Sequence, residues 1–340
     1  MRKLNALIAG STGYIGIQLI KLLIKHKNVN IKYLCGNSSV GKSISKYDKS
    51  LKSKKLPKII KYNKKYLGDI DIIFTALPNG EAQKISKDLL KKNTLIDLAA
   101  DFRLNKSKDY QKWYKKKHNA VENIKKSIYA LPEISKNKVK KFKIISCPGC
   151  YPTSVLLPLV PLFLKKTINK NNIIIDSKSG YSGAGRNVHE IYKNKNLYES
   201  LKAYGVGFHR HNSEIEQELK KYTKDNINLT FTPHLSPMFR GILSTIYLEL
   251  KPKFSIAKIN HILKKYYESS KFIKIMKMNS YLSTNEVINT NNCFISVCKT
   301  RYKNKIIILS VIDNLIKGGA GQAVQNMNIK FNFNIFNGLK

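Results

Sequence analysis

Short apolar runs alternate with helix-like segments in the first part of the chain. The run Leu4–Ala9 precedes the glycine-rich GSTGYIG, after which Ile17, Ile20, Leu23 and Ile24 recur at helical spacing. Further short apolar runs predict strands at Ile31–Cys35, Ile70–Leu77, Thr94–Ala99 and Lys143–Ser146. Strands that alternate with helices are typical of a parallel sheet with crossover helices, so we expect a Rossmann-type α/β domain.

The pattern changes beyond residue 165, where extended, β-rich runs predominate. Strands are predicted at Ile173–Ser177, Leu229–Pro233, Ile242–Leu250, Cys293–Lys299 and Ile306–Val311, and helices at Ile256–Tyr267 and Gly319–Asn328. This mixture predicts a second domain of the α+β class. The lysine-rich stretch Lys42–Lys65 is interpreted as a loop or variable surface.

The turn after Leu4–Ala9 carries glycines spaced GxxGxxG. Glycine lets the backbone approach a pyrophosphate closely, and the start of the following helix supplies amide donors and partial positive charge. We therefore predict a dinucleotide site that contacts Gly10, Ser11, Thr12, Gly13, Tyr14, Ile15 and Gly16. The alternative is a tight turn without a ligand.

Residues Gly36–Ser43, GNSSVGKS, match the P-loop pattern GxxxxGK[ST] of ATPases. The match follows the second predicted strand of a unit whose first turn already resembles a dinucleotide site, so we disfavour it. In NAD sites an acidic residue at the end of the second strand binds the ribose hydroxyl. Hydroxyls such as that of Ser38, with the cation Lys42 nearby, suit a 2′-phosphate instead. We predict NADP(H) as the cofactor.

The chain is strongly basic, with 62 Lys and Arg against 21 Asp and Glu and a formal net charge of +41. Such a charge is typical of nucleic-acid binding. However, six of the 62 are Arg, leaving 56 Lys, and the lysines are spread along the 340 residues. Base readout and bidentate phosphate contacts favour Arg. We therefore interpret the charge as solvated surface and predict no nucleic-acid partner.

The uncharged run Cys147–Leu164 contains four prolines and makes a poor membrane helix. The apolar residues after Met1 are broken by glycines, unlike a signal peptide. Five cysteines in a chain of this length do not resemble a disulfide framework. We expect a soluble, cytoplasmic protein without a membrane partner.

Cys147 and Cys150 form a CxxC sequence with three interpretations: half a zinc site, a redox dithiol, or a catalytic thiol. Cys293 and Cys298, five apart on a predicted strand, would face opposite ways, so no metal site is predicted. Cys150 stands before a stretch able to form a helix, and a thiol at a helix N-terminus is an activated nucleophile. Cys150 is therefore the favoured nucleophile.

Blocks across nearly the whole chain resemble the N-acetyl-gamma-glutamyl-phosphate reductase family and occur in that family's order. They are GSTGYIG at Gly10, DLAADFR at Asp97, SCPGCYPTS at Ser146, SGYSGAGR at Ser179, FHRHNSEIEQ at Phe208, PHLSPMFRGIL at Pro233 and DNLIKGGAGQAVQNMN at Asp313. The resemblance implies NADPH-dependent reduction of an acyl phosphate to a semialdehyde in arginine biosynthesis. It also implies a semialdehyde-dehydrogenase-like fold and a homo-oligomer, either a dimer or a tetramer.

The resemblance implies that Cys150 attacks the acyl phosphate, expels phosphate and forms a thioester that NADPH reduces. His209 and His211 are candidates for the general acid/base and would share a face of an extended chain, which leaves the choice between them open. Glu214 is expected to orient the imidazole.

Four of the six arginines lie in the matched blocks, where a bidentate fork suits phosphate or carboxylate. By analogy Arg103 is assigned to the phosphate, and Arg240 with His234 to the other end of the substrate; Arg210 is a further substrate-binding candidate. The cofactor would also contact Ser182, Gly183 and Asn314.

In this family the last helix packs onto the first domain. The expected domains are therefore a nucleotide-binding domain of residues 1–149 plus 315–340 and a catalytic, dimerising domain of residues 150–314.

The chain departs from the family pattern at three positions. Cys147 replaces the usual Asn before the nucleophile, which weakens hydrogen bonding there and creates the option of a disulfide with Cys150. Asn79 stands where His is usual, and Ser213 where Pro is common. Two alternatives stay open: the same chemistry on an aspartyl or a carrier-bound aminoadipyl group, and a non-enzymatic protein that binds nucleic acid.

Overall fold

The computed structural model describes residues 2–186 and 199–340. It divides into two compact units, Met1–Pro148 with Gly319–Lys340, and Gly149–Gly318. The sequence placed these boundaries after residues 149 and 314. In the structure Gly149 and the segment 315–318 belong to the second unit.

The first unit is built on a seven-stranded sheet in the order β3-β2-β1-β4-β5-β7-β6, and every pairing in it is parallel. Its strands are β1 (Leu4–Ala9), β2 (Val29–Cys35), β3 (Ile59–Ile60), β4 (Ile72–Thr75), β5 (Thr94–Asp97), β6 (Ser127–Tyr129) and β7 (Ile144–Ser146). The strand order reverses between β1 and β4, which is where doubly wound sheets bind ligands at their carboxyl ends. The predicted Rossmann-type class is confirmed.

Six helices, numbered in chain order through both units, flank this sheet. They are α1 (Tyr14–Leu23), α2 (Glu81–Asp88), α3 (Ser107–Tyr114), α4 (Val121–Ile124), α5 (Pro132–Ser135) and the C-terminal α9 (Gly321–Lys330). Buried side-chain bonds hold α9 in this unit: Gln325 donates to the Glu133 carboxylate over 2.8 Å, and Asn326 donates to the Ala130 carbonyl over 2.9 Å.

The lysine-rich stretch Lys42–Lys65 is more ordered than the expected loop. Three isolated apolar side chains in it, Ile44, Leu51 and Ile59, are buried, and Ile59–Ile60 is strand β3 at the sheet edge. Single apolar residues between lysines give no strand or helix periodicity, so the sequence pattern did not reveal these anchors.

The second unit contains a mixed seven-stranded sheet in the order β12-β13-β14-β11-β8-β10-β9. Its strands are β8 (Ile173–Gly180), β9 (Lys202–Ala203), β10 (Leu229–Ser236), β11 (Ile242–Glu249), β12 (Ile273–Ile275), β13 (Cys293–Lys299) and β14 (Lys305–Ile312). Its helices are α6 (Cys150–Leu164), α7 (His211–Leu219) and α8 (Ile256–Tyr266). The predicted α+β class of this unit is confirmed.

Helix α6 is buried along almost its whole length although Pro158 and Pro161 lie inside it. A proline at 161 cannot donate to the Leu157 carbonyl, and the Tyr267 hydroxyl donates to that carbonyl instead, over 2.5 Å. The Ser154 hydroxyl bonds Ser244 over 2.7 Å. Side chains thus fix α6 against its own sheet. Over the described parts of the chain, no helix is long and apolar enough to cross a membrane.

Candidate active site

The glycine-rich turn after β1 adopts a conformation that only glycine suits. Gly10 has φ of +84°, and a Cβ there would lie 2.2 Å from the Ala76 carbonyl oxygen. The amides of Gly10 and Ser11 both donate to the Cys35 carbonyl, over 3.0 and 3.1 Å. A Cβ on Gly16 would lie 2.2 Å from the Gly10 oxygen, so the first turn of α1 packs directly on the loop.

Helix α1 begins at Tyr14 with an open N-terminus. Gly13 is its N-cap residue and gives no side-chain cap, and the first turn contains no acidic residue. Thr12, Tyr14 and Ile15 therefore lie where amide donors and the helix dipole favour an anion, next to Ser11, whose own amide is bound to Cys35. This arrangement fits the pyrophosphate of a dinucleotide.

A cavity of about 260 Å³ adjoins this turn at the carboxyl ends of β1 and β2. Gly10 and Asn37 line it, together with Lys61, Tyr62 and Lys84, which the sequence analysis did not single out. These three residues come from separate elements and carry no local motif. Ser38 and Lys42 are exposed on the neighbouring loop and do not line the cavity.

The segment Gly36–Ser43 does not form a P-loop. Only a three-residue 3₁₀ turn, Ile44–Lys46, follows it, not an α-helix. The amide of Gly41 donates to the Ile59 carbonyl over 2.8 Å, and that of Lys42 donates to Ser39 over 3.1 Å. Because protein carbonyls use these amides, they cannot also form the phosphate cradle of an ATPase.

Arg103 lies in the first unit in a loop organised by two buried carboxylates. Asp97 accepts from the Thr75 hydroxyl over 2.8 Å and from the backbone amides of Ala99 and Asp101 over 2.9 and 3.0 Å. Burial raises the pKa of Asp97, and the Asp101 charge adds to this rise. The Arg103 guanidinium donates to the Cys147 carbonyl over 2.8 Å, so this arginine is held in place by backbone.

Cys147 is fully buried and unsuited to nucleophilic chemistry. Burial raises the pKa of its thiol to about 12, and the Asn326 amide donates to its sulfur over 3.7 Å. Disulfide exchange requires a thiolate. The redox-dithiol interpretation of the CxxC is therefore disfavoured, and so is a disulfide between Cys147 and Cys150.

Cys150 is the first residue of α6, as a nucleophile activated by a helix N-terminus requires. The preceding Gly149 donates its amide to the Glu214 carboxylate over 2.9 Å. His211 packs directly on Gly149, since a Cβ on that glycine would lie 2.4 Å from the His211 Nε2. The same Nε2 is 3.7 Å from the second Glu214 oxygen. One buried carboxylate thus bonds the nucleophile loop and lies beside the histidine.

Gly318 contacts the nucleophile from another side. A Cβ built on Gly318 would lie 2.7 Å from the Cys150 Cβ. Gly318 belongs to a π-helical turn, Ile316–Ala320, and its amide donates to the Asp313 carbonyl over 2.9 Å. The close approach to Cys150 therefore requires glycine at this position.

The expectation that His209 and His211 share a face of an extended chain is wrong. His211 begins helix α7, and the two rings meet edge to face with centroids 4.7 Å apart. The His209 ring contacts Tyr151, Tyr204 and Phe231 as well. Burial, with the Arg210 charge, lowers the pKa of His209 to about 4. His209 is thus a neutral ring in an aromatic cluster at neutral pH.

His234 and Arg240 occupy different networks within the second unit. The His234 Nδ1 is 3.1 Å from the Asp176 carboxylate, and the His234 carbonyl accepts from the Tyr151 hydroxyl over 3.2 Å. The Arg240 guanidinium donates to Asp313 over 3.1 Å. Arg210 is exposed immediately before α7.

Three residues assigned to the cofactor meet in this unit. Asn314 accepts from the Gly241 amide over 2.7 Å and donates to the Ser182 hydroxyl over 3.0 Å. A Cβ on Gly183 would contact the Asn314 amide at 3.5 Å. Asp313 stabilises this turn by accepting from the Leu315 amide over 2.8 Å.

Several positioning residues were not predicted as site residues, although four of them lie in the blocks that carry the family resemblance. Asp97, Gly149, Tyr151, Asp176 and Asp313 act through partners distant in the chain. Within the described ranges, no group of three or more His, Cys, Asp or Glu is arranged to hold a metal ion.

The two units match two family descriptions. Residues 5–142 match the semialdehyde dehydrogenase NAD binding domain, and residues 150–314 match the semialdehyde dehydrogenase dimerisation domain. Solved structures of aspartate semialdehyde dehydrogenase II from Vibrio cholerae, in complex with ASA, and of aspartate semialdehyde dehydrogenase with NADP from Candida albicans share the fold. Their TM-scores are 0.72 and 0.66, each at 16% identity. The first match covers 98% of this chain and 99% of that chain, and the second covers 96% and 98%.

Sequence relatives are closer. N-acetyl-gamma-glutamyl-phosphate reductase of Thermoanaerobacter pseudethanolicus is 44% identical, with 95% of this chain and 94% of the relative covered. The same-named protein of Clostridium beijerinckii is 42% identical over 98% and 96%. The probable chloroplastic protein of that name from Arabidopsis thaliana is 39% identical over 96% and 81%. The chain therefore belongs to the N-acetyl-gamma-glutamyl-phosphate reductase family.

Proposed function

We propose that this chain reduces N-acetyl-γ-glutamyl phosphate to N-acetylglutamate semialdehyde with release of inorganic phosphate, as a step of arginine biosynthesis. The observation that carries the proposal is the arrangement at the start of α6. Cys150 begins the helix, the Gly149 amide is bound by Glu214, and the His211 ring packs on Gly149.

The thiolate of Cys150 attacks the acyl carbon, the carbon–oxygen bond to phosphate breaks, and a thioester remains on Cys150. NADPH supplies the hydride that reduces the thioester carbonyl. The carbon–sulfur bond then breaks, which releases the aldehyde and restores the thiolate. The positive end of the 15-residue α6, which has no acidic residue in its first turn, stabilises the thiolate before and after the cycle.

His211 is the better candidate for the proton transfers. It contacts Gly149 beside the nucleophile and is held near the Glu214 carboxylate. The lowered pKa of His209 and its aromatic surroundings instead suit a packing role, with its Nδ1 accepting from the His211 amide over 3.2 Å. Candidate catalytic residues are thus Cys150 and His211, with Glu214 and His209 as positioning residues.

Substrate anions are assigned to the arginines that the fold holds in place. We assign Arg103 to the phosphate and Arg240, with His234, to the substrate's carboxylate end. Asp313 fixes the Arg240 guanidinium, which favours a bidentate contact. Arg210 is a further candidate because it precedes the helix that begins with His211.

The cofactor is proposed to be NADP(H) rather than NAD(H). Residues 35–39 at the end of β2 include no carboxylate, while Ser38 and Lys42 are exposed there and Lys61 and Lys84 line the adjacent cavity. The test compares KM for NADPH and NADH in Lys42→Gln and in Lys61→Gln/Lys84→Gln. A 2′-phosphate contact requires a selective rise in KM for NADPH, by about two- to fivefold for each lost, partly screened contact. Equal rates with both cofactors in the unchanged enzyme would refute the assignment.

A homo-oligomer, either a dimer or a tetramer, in the cytoplasm is also proposed. The sheet of the second unit exposes the apolar side chains Ile174 and Tyr247, and Tyr302 is exposed beside them around a cavity of about 350 Å³. All five cysteines are free thiols, which suits a reducing compartment. Light scattering across a range of protein concentrations tests the assembly, and a stable monomer would contradict it.

The reverse reaction tests the proposed activity. Purified protein is given N-acetylglutamate semialdehyde, NADP⁺ and phosphate, and NADPH formation is followed at about 340 nm, since hydride transfer is the chemistry in question. Cys150→Ser should abolish the rate and Cys147→Ser should retain it. Aspartate semialdehyde in the same assay tests the alternative acyl group, and a preference for it would replace the proposed substrate.

A further inference from the structure

A cavity of about 670 Å³ opens in the first unit at the edge of the sheet opposite the glycine-rich turn. Lys126 and Lys143, which line it, immediately precede β6 and β7, and Lys87 lies at the end of α2. All strands of this sheet are parallel, so Lys126 and Lys143 lie at the amino ends of the strands. The glycine-rich turn follows the carboxyl end of β1, on the opposite side of the sheet. The cavity is therefore a site separate from the dinucleotide turn.

The lining is more cationic than the basic chain as a whole. Four of its 13 residues are lysines, Lys87, Lys117, Lys126 and Lys143, whereas lysine makes up 56 of the 340 residues overall. Glu122 is the single acidic residue in the lining. Within the described ranges, none of the four lysines has a carboxylate within 4.0 Å. Four ammonium groups and one carboxylate therefore line the cavity, and the lining carries a net positive charge.

Three of the four lysines, Lys87, Lys117 and Lys126, are exposed to solvent, and the fourth is partly enclosed. Lys143 is half-buried and donates to the Leu89 carbonyl over 3.1 Å. Burial, followed by the charge of Lys126, lowers the pKa of Lys143. Like charges that line one cavity repel each other, and an anion placed between them relieves that repulsion.

Neutral hydrogen-bonding groups complete the cavity wall. His118 is buried and its Nε2 lies 2.9 Å from the Asp101 carbonyl, while burial lowers the pKa of its ring. Asn123 donates to the Ser86 carbonyl over 3.1 Å, and Asn119 also lines the cavity. The volume lies in the range of small-molecule sites, which is about 300–1,000 Å³.

We infer that this cavity binds a small organic or inorganic molecule carrying two or more phosphate or carboxylate groups. The ligand's negative charges would lie between Lys126 and Lys143 on one side and Lys87 and Lys117 on the other, with the side-chain amide of Asn119 as a further partner. The inference does not depend on the proposed activity, because none of these residues belongs to the site around Cys150.

The test uses calorimetric titration of the full chain, saturated with NADPH so that the dinucleotide site is filled. Inorganic tripolyphosphate and citrate are the two probes, each at about 0.15 M salt, where exposed charges are screened. Saturable binding of either probe is expected, and the one that binds identifies phosphate or carboxylate as the recognised group. Lys126→Gln/Lys143→Gln should weaken that binding by about tenfold or more.

Lys54→Gln/Lys55→Gln is the matched control, because it removes the same charge from exposed lysines of the same unit outside the cavity. This control should bind the probe as the unchanged protein does. Equal weakening in both double variants would show general attraction to a basic protein and would overturn the inference. Absence of saturable binding by both probes would overturn it as well.

Discussion

The amide of Gly149 donates to the carboxylate of Glu214 over 2.9 Å, across 65 residues of chain. Glu214 is fully buried, and its other oxygen lies 3.7 Å from the Nε2 of His211. The same carboxylate therefore binds the residue before the nucleophile and lies next to the candidate acid/base. This relationship makes Glu214 a positioning residue whose effect should reach catalysis more than substrate binding.

Replacing Glu214 by Gln keeps its shape but removes the charge that orients His211 and binds the Gly149 amide. We expect kcat to fall by about 10- to 100-fold with a smaller change in KM, as for the loss of a group that orients an acid/base. Steady-state kinetics measure kcat and KM separately. The rate at which iodoacetamide alkylates Cys150 reports the reactivity of its thiol directly. Glu268→Gln, on an exposed residue, is the charge-matched control. An unchanged kcat would show that Glu214 does not position the catalytic groups.

Gly318→Ala should impair the nucleophile through a steric clash with Cys150. The added Cβ would lie 2.7 Å from the Cys150 Cβ, so either the segment around Gly318 or the start of α6 must move. A small displacement of a reacting group lowers kcat/KM by about tenfold or more. Gly68→Ala is the control because a Cβ there meets nothing within 4 Å. Full activity in Gly318→Ala would show that this close approach has no catalytic importance.

The two histidines should respond differently to substitution. His211→Gln should lower kcat by about 10²- to 10⁴-fold, the usual contribution of a general acid/base. His209→Phe should preserve most of the activity because Phe fills the aromatic cluster around Tyr151 and Phe231. The reverse pattern in kinetic assays would assign the acid/base to His209.

His209 also predicts a pH dependence of stability. Its pKa is lowered from 6.5 to about 4, so between these values the unfolded chain takes up a proton that the folded chain does not. The free energy of unfolding should therefore fall as pH drops from 6.5 towards 4, by about 1–3 kcal/mol from this group. Urea unfolding at pH 7 and pH 4.5 measures the loss, which should be smaller in His209→Phe. An equal loss in both proteins would exclude His209 as its source.

Tyr267→Phe should destabilise the second unit but spare its chemistry. The Tyr267 hydroxyl donates to the Leu157 carbonyl, which Pro161 leaves without its helical partner. An unsatisfied buried carbonyl costs about 1–3 kcal/mol. Thermal unfolding should show a lowered Tm in Tyr267→Phe and little change in Tyr266→Phe, the neighbouring control. A Tm equal to that of the unchanged protein would mean that the carbonyl finds another donor.

Local patterns in the sequence predicted most of the sheet of the first unit and all the long strands of the second. The exceptions are informative. Strands β3 and β6 are two and three residues long and depend on pairing with β2 and β7. Such short strands lack the length for a periodic signal, so only their neighbours define them.

The candidate site was predictable where a residue's role depends on its immediate neighbours. Gly10 occupies a positive-φ turn after a strand, and Cys150 begins a helix; both features follow from adjacent sequence. Lys61 and Lys84 were not predictable, because they come together with Gly10 only through β3 and α2. The sequence left the choice between His209 and His211 open for a related reason: the segment expected to be extended is the start of α7.

By itself the sequence determined the order of strands and helices, the glycine-rich turn and, through the family resemblance, the expected nucleophile. The tertiary structure decided which groups are buried and which meet. It enclosed the Cys147 thiol, packed the His209 ring among aromatic side chains, joined Gly149 to Glu214, placed Gly318 against Cys150, and gathered four lysines into one cavity. Backbone conformation follows from neighbouring residues, whereas burial and distance follow from packing between segments far apart in the chain.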